Sequence, residues 1–388
     1  MDEFSNPYRP GAGTSPPALL GRDEFISHFR TTVRRALSGR PGKSLMPVGL
    51  RGVGKTVLLN RFAEIAEDEG FVVGLIEAPE SGDFGSLLAA RLRKILLGFD
   101  NENKTAKVLK ALRVLKSFSY QLHDGSKLTI DVDALAGSAD SGNLADDVTD
   151  LLVAAGEAAA ERHRGLLLAV DEVQYLSEPE LAALITAVHR TTQLDLPVVL
   201  VGAGLPQLPG LAGEAKSYAE RLFEFPLIGS LGGDDARAAI RVPAEERGVE
   251  LSDGAVEAII DRAHGYPYFL QEWGYHVWNA ADKSPISRAL VEQVTPGVVS
   301  HLDSNFFRVR FDRLTPAERK YLRAMAELGP GPHRSGDIAA RLGVKVESVA
   351  PRRSALVAKG MVYSPAHGDT AFTVPLFDEF LLRALPKP

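Results

Sequence analysis

Eight consecutive residues, Gly49-Leu50-Arg51-Gly52-Val53-Gly54-Lys55-Thr56, fit the spacing G-x-x-x-x-G-K-[ST], which is built to cradle a polyphosphate. Its glycines let the backbone wrap phosphate oxygens, and its amides together with the N-terminus of the next helix supply positive potential. The residues expected to line the phosphates are Gly49, Arg51, Gly52, Val53, Gly54, Lys55, Thr56 and Val57. Lys55 would reach the β- and γ-phosphates and so act in catalysis, and the Thr56 hydroxyl would ligate Mg²⁺. Further along, the apolar run Leu166-Leu167-Leu168-Ala169-Val170 ends in Asp171-Glu172. Asp171 would be the second holder of Mg²⁺, and Glu172 would orient or deprotonate the attacking water. An acidic turn after a strand is the plainer alternative, but with the loop upstream the pair favours ATP hydrolysis over binding alone.

These groups need a scaffold. Leu45, Met46, Val48 and Leu50 precede the loop, and Val57, Leu58, Phe62 and Ile65 follow it at helical spacing. Strands are expected at Leu45–Leu50, Phe71–Glu77, Gly165–Val170, Leu196–Gly202 and Leu222–Pro226, alternating with helices. That alternation predicts an α/β core over residues 44–230, a parallel sheet covered on both faces. Pro47 conflicts locally with a central strand. Ser177-Glu178-Pro179-Glu180 is a capping box that opens the helix after Asp171-Glu172. Within an insertion spanning about 101–147, Ser119–Leu122 and Lys127–Asp133 read as a β-hairpin, and Ala136–Asn143 as flexible.

Residues 1–43 form a Pro/Gly-rich lead-in followed by a helix from Asp23 to about Ser38. Leu20-Gly21-Arg22-Asp23 would cover an adenine or simply pack as coil. Residues 231–300 are helical, with apolar spacing in Ala255–Ala263 and Pro267–Ala280. Phe269, Trp273 and Val277 recur at i, i+4 and i+8, as core residues do. In residues 301–388 a capped helix from Thr315, helices at Ser335–Leu342 and Ser348–Lys359, and strands Met361–Ser364 and Thr370–Val374 make a winged-helix pattern. Arg352 and Arg353 start its third helix and Lys345 precedes it, so these three are the candidate contacts to double-stranded DNA. His367 is the wing's one cation.

Composition sets limits. A chain of 388 residues, 45% hydrophobic, is expected to split into two or three domains. It contains no cysteine, which excludes disulfides, thiolate chemistry and Cys-based zinc sites. The start, Met1-Asp2-Glu3-Phe4, lacks signal-peptide character, and no apolar run is long enough to span a membrane, so a soluble, cytoplasmic protein without a membrane partner is expected. Net charge is −6, yet residues 301–388 carry 14 Arg/Lys against 9 Asp/Glu. A basic module on an acidic body suits a local anion contact.

The loop 49–56, the segment Leu-Ala-Val-Asp-Glu-Val-Gln at 168–174 and Gly-Tyr-Pro at 265–267 resemble AAA+/STAND-type ATPases similar to the bacterial and archaeal origin-recognition group. The order of sections is similar over nearly the whole chain. The resemblance implies a P-loop NTPase domain, a helical lid over 231–300 that brings Pro267 to the nucleotide, and a C-terminal winged helix. It also implies bound ATP or ADP with Mg²⁺, and subunits collaborating in a homo-oligomer through a sensor and an arginine finger. The last two do not carry over cleanly. Gly202-Ala203-Gly204 stands where a polar sensor is expected, with Gln207 the nearest polar candidate. Arg221 is the first choice for the finger and Arg190 the second, while Pro267 lies where many lids carry a sensing arginine. These departures favour a slow switch that contacts DNA. The alternative is a regulatory NTPase whose winged helix binds a protein partner. A motor, either helicase or transporter, is disfavoured, because no ABC-type signature follows the loop and no membrane partner segment is found.

Overall fold

The computed structural model describes the chain except residues 12, 15, 17, 18, 81, 103, 104, 122–130, 367 and 386–388. Two compact units emerge: one of Arg22–Val48 and Lys55–Leu227, the other of Met1–Gly21, Gly49–Gly54 and Ile228–Pro388.

In the first unit the strands are β1 (Ser44–Leu45), β2 (Phe71–Glu77), β3 (Gly165–Asp171), β4 (Val198–Gly202) and β5 (Phe223–Glu224). They pair in parallel as β2-β3-β4 and β1-β5, and a parallel bridge from Val48 to Gly204 joins the two sets. The order is therefore β2-β3-β4-β1-β5. Leu166 to Val170 are all buried, as expected of a strand flanked on both edges and covered on both faces. The expected first strand is shorter than Leu45–Leu50, and Pro47 shows why. The Met46 and Val48 amides donate towards β5, to Glu224 O and Pro226 O, and the Pro47 carbonyl accepts from Gly204 on the β4 side. Proline thus forfeits one bond, and pairing thins to single bridges around it.

Helices Phe84–Glu102, Ala106–Ser119, Leu144–Glu161 and Glu178–Gln193 accompany this sheet. The insertion differs from its expected form. Its first part is the helix Ala106–Ser119, capped by Thr105 and burying Val108, Leu112, Leu115 and Phe118. Ser119 ends that helix instead of starting a hairpin, and most of the remaining hairpin segment lies outside the described residues. Ala136–Asn143, expected to be flexible, is pinned. Asp147, 2% exposed, accepts from Ser141 N and Oγ at 2.9 and 2.8 Å and from Gly142 N at 3.2 Å. Asp150 accepts from Ala139 N at 3.0 Å.

The second unit is mostly helical. Gly233–Glu245, Asp253–Ala263 and Pro267–Ala280 are followed by Arg288–Leu302, which continues through a π-helical turn, Asp303–Phe307, into Arg308–Asp312. Phe269, Trp273 and Val277 are buried, as their spacing requires. Tyr8 is anchored here: its hydroxyl donates to Ile240 O at 2.5 Å and its ring meets Trp278 edge-on. The C-terminal module has helices Pro316–Glu327, Ser335–Leu342, Ala350–Ala358 and Phe377–Ala384 with strands β6 (His333–Arg334), β7 (Val362–Tyr363) and β8 (Asp369–Phe372). The strands are antiparallel in the order β6-β8-β7. Both capping boxes, Ser177/Glu180 and Thr315/Glu318, form as the sequence predicts.

Asp147→Ala should remove the three hydrogen bonds by which a buried carboxylate holds the exposed residues Ser141 and Gly142. A loss of about 1–3 kcal/mol in unfolding free energy is expected, read from the midpoint of urea denaturation; an unchanged midpoint would show that the segment is not held this way.

Candidate nucleotide site

In the sheet unit, β3 and β2 run in register so that Asp171 lies opposite Glu77 at the C-terminal edge of the sheet. The helix Lys55–Asp68 starts beside that edge, and the Thr56 hydroxyl donates to Asp171 Oδ2 at 2.5 Å. Two residues 115 positions apart in sequence, both expected to hold Mg²⁺, are thereby brought into contact. Burial pushes the Asp171 carboxyl above its ordinary range, opposed by the bonds from Thr56 and the Glu172 amide and by the Lys55 charge. A buried carboxylate and a hydroxyl are hard oxygen donors, so the pair fits Mg²⁺. Lys55 is itself buried, at 6% exposure.

Glu172 adopts a left-handed conformation, φ 53° and ψ 38°, as its chain turns off the strand end. Such backbone settings in non-glycine residues cost free energy and cluster at functional sites. Its carboxylate accepts a hydrogen bond from Gln174 Nε2. Gln174 Oε1 in turn accepts from the Leu205 amide at 3.0 Å, in the segment after β4. Gln174 is not among the residues expected to act at this site; the signal that marks it is a polar residue two positions after the acid pair.

The same contact accounts for the missing polar sensor. A Cβ on Gly202 would lie 2.8 Å from Val173 Cγ2, and one on Gly204 would lie 2.9 Å from Gln174 Oε1. The segment is closely packed against the turn that carries Glu172. Gln207 is half-buried and its Oε1 has no hydrogen-bond partner.

Residues Gly49–Gly54 group with the helical unit, where three contacts hold them. The Tyr266 hydroxyl donates to Arg51 O at 2.5 Å, the Tyr268 amide donates to Gly52 O at 3.2 Å, and the Arg51 amide donates to Thr373 O at 3.1 Å. Pro267, expected near the nucleotide, thus sits between the two tyrosines that grip the loop, in the first turn of its helix. Gly52 has φ +87°, and a side chain there would meet Tyr268 Cβ at 3.1 Å. Gly49 permits a closer approach still, since its Cβ would fall 2.2 Å from Ile228 O. Val53 is buried, Gly54 has φ +92°, and Val57 is half-buried in the first turn of the following helix.

Arg221 is exposed at the end of the short helix Ala219–Leu222, its guanidinium 6.0 Å from the Tyr218 ring centre, and pairs with no carboxylate among the described residues. Arg190 is exposed and donates to Gln193 Oε1 at 3.3 Å. Of the three cations expected to face DNA, Arg353 is engaged internally. Its guanidinium donates to Thr370 Oγ1 at 2.8 Å, Ser364 Oγ at 2.7 Å and Asp369 O at 3.0 Å, tying its helix to the hairpin. Lys345 is exposed and Arg352 half-exposed. His367 lies outside the described residues.

Residues 18–201 match the family model of the AAA ATPase domain. Residues 304–381 match a model described as a domain of unknown function (DUF8462). No curated protein matches the chain. Among solved structures, a Walker-type ATPase of Pyrococcus abyssi superposes with a TM-score of 0.58 at 16% identity, covering 95% of this chain and 97% of that one. The RuvB Holliday junction branch migration motor of Thermotoga maritima (TM-score 0.47, 17% identity, 97% and 99% coverage) and the Orc1 protein of Aeropyrum pernix in complex with DNA (0.46, 18%, 96% and 94%) are more distant. The AAA ATPase match and the parallel sheet together give the chain a P-loop NTPase fold, with a helical C-terminal region. Among the described residues, no helix is long and apolar enough to cross a membrane.

The burial of Asp171 generates a test. Its raised folded-state pKa means that stability falls as pH rises from the unfolded carboxyl value through the folded one, where the ionised form carries its desolvation cost. Asp171→Asn should therefore raise the melting temperature of the nucleotide-free protein at neutral pH while diminishing the further rise produced by Mg-ATP. Equal melting temperatures for the two nucleotide-free proteins would contradict this account.

Proposed function

We propose that the chain binds Mg-ATP and hydrolyses it slowly, as a nucleotide-dependent switch. The observation that carries this reading is the Thr56–Asp171 contact, with Glu172 held beside it by Gln174. In this reading the loop amides and Lys55 hold the β- and γ-phosphates, and Thr56 and Asp171 hold Mg²⁺, which neutralises charge on those phosphates. Glu172 accepts a proton from the attacking water, and Gln174 keeps its carboxylate oriented. Arg221, exposed and without a carboxylate partner among the described residues, is suited to act on a neighbouring subunit's nucleotide in an assembly. Residues 231–300 serve as the lid through Tyr266, Pro267 and Tyr268, and residues 301–388 as a winged helix. The Arg51–Thr373 bond gives that module a direct hold on the phosphate loop, which supports its regulating the ATPase.

A second role for the module, contact with duplex DNA, is favoured by Lys345 and Arg352, which have no internal ion pair among the described residues. Arg353 is left out of this reading, because its donors are committed to the hairpin. A regulatory NTPase that binds protein is what remains if DNA contact fails.

Lys55→Ala should abolish ATP binding in calorimetry. Glu172→Gln should bind Mg-ATP like the parent chain yet lose turnover by about 10²–10⁴-fold, and Arg221→Ala should keep affinity while slowing turnover. Undiminished turnover in Glu172→Gln would move the base elsewhere.

Replacing Lys345 and Arg352 together by Ala should weaken duplex DNA binding at every sequence and lower the log–log salt slope by about one per lost phosphate contact. Arg353→Ala should instead lower the unfolding midpoint. Fluorescence anisotropy over a salt series reads the first, and an unaltered slope in the double variant would remove the DNA role.

A further inference from the structure

A cluster of side chains in the helical unit has chemistry that the ATPase reading does not use. Glu272 and His276 lie one turn apart on Pro267–Ala280, so both face the same side of the helix. His301, in the last turn of Arg288–Leu302, meets them there: the His276 and His301 ring centres are 4.9 Å apart, at 63°. One ligand-type atom from each of the three residues lies within 4.8 Å of the other two.

Two of these groups are left with unmet demands. Glu272 is 4% exposed, and among the described residues no lysine or arginine forms an ion pair with it. Its Oε1 accepts from the Tyr268 hydroxyl at 2.7 Å, while Oε2 is 3.7 Å from His276 Nε2, beyond hydrogen-bond reach. His276 Nε2 is buried and has no hydrogen-bond partner. A buried carboxylate with no lysine or arginine partner, beside an imidazole nitrogen without a hydrogen bond, is costly. A bound cation would satisfy both.

We propose that Glu272, His276 and His301 form a binding site for one divalent transition-metal ion of the zinc class. Two imidazole nitrogens and one carboxylate oxygen suit zinc or cobalt, whereas magnesium and calcium prefer oxygen alone. Tetrahedral zinc needs donor separations of about 3.3 Å. Closing from the present spacing takes a side-chain rotation of His301, which is exposed and leaves a fourth position to water. One outer partner is in place, since Tyr268 orients the carboxylate, and His301 is followed, after Leu302, by the π-helical turn Asp303–Phe307. Single π turns within α-helices recur at functional sites. The chain has no cysteine to compete for the ion.

The test uses the full-length chain without a histidine tag, titrated with Co²⁺ and followed by visible absorption. One equivalent should bind with the intense bands of a tetrahedral N/O site, and Zn²⁺ should displace it. His301→Ala, at an exposed position, should fold normally and weaken Co²⁺ binding by at least about tenfold. His189→Ala, in the other unit, should leave binding unchanged, and Glu272→Gln should weaken it as well. The proposal is overturned if Co²⁺ gives only the weak spectrum of the hydrated ion, or if His301→Ala binds Co²⁺ as the parent does.

Discussion

The hydrogen bond from Thr56 to Asp171 concentrates the constraints on this molecule. It exists only because β3 is covered on both faces and paired on both edges, which fixes the depth at which Asp171 leaves the sheet. The helix that follows the phosphate loop must begin at the same edge, and β1 must run between β4 and β5 to deliver it there. A slip of one residue in β3 would turn Asp171 to the other face. Order in the sheet and chemistry at its edge are therefore one requirement.

At the end of β4 the polar side chain expected from the sequence is absent, and the packing gives a steric cause. Gly202 and Gly204 are closed in by Val173, Gln174 and Leu208, so no polar side chain can project from the end of β4. What connects that segment to Glu172 is Gln174, reaching from the turn after β3 to both the Glu172 carboxylate and the Leu205 amide. The two strand ends are thus joined by a residue on the turn after β3.

The helical unit shows how neighbours in sequence acquire different roles. Arg352 and Arg353 are adjacent cations, yet helical geometry turns them about 100° apart. One meets the hairpin through three acceptors and the other faces outward. Similarly, the Gly-Tyr-Pro segment matters less through Pro267 itself than through Tyr266 and Tyr268, whose hydroxyl and amide hold Arg51 and Gly52. Tyr268 also reaches Glu272, so its backbone serves the loop while its side chain serves the histidine cluster.

The sequence alone determined what is local. The phosphate-loop pattern, both capping boxes, the boundaries of β2 and of Pro267–Ala280, and the buried stripe Phe269, Trp273 and Val277 follow from spacing within a few turns of chain. The parallel α/β class was legible because long apolar runs alternate with helical patterns. Tertiary structure decided whatever depends on residues distant in sequence. Pro47 ends regular pairing because of what lies on each side of it, and Asp147 pins a segment whose composition reads as flexible. Arg353 belongs to the hairpin because Thr370, Ser364 and Asp369 converge on it. The Glu272, His276 and His301 cluster had no sequence signature, since a ligand set across elements leaves no periodicity in either one.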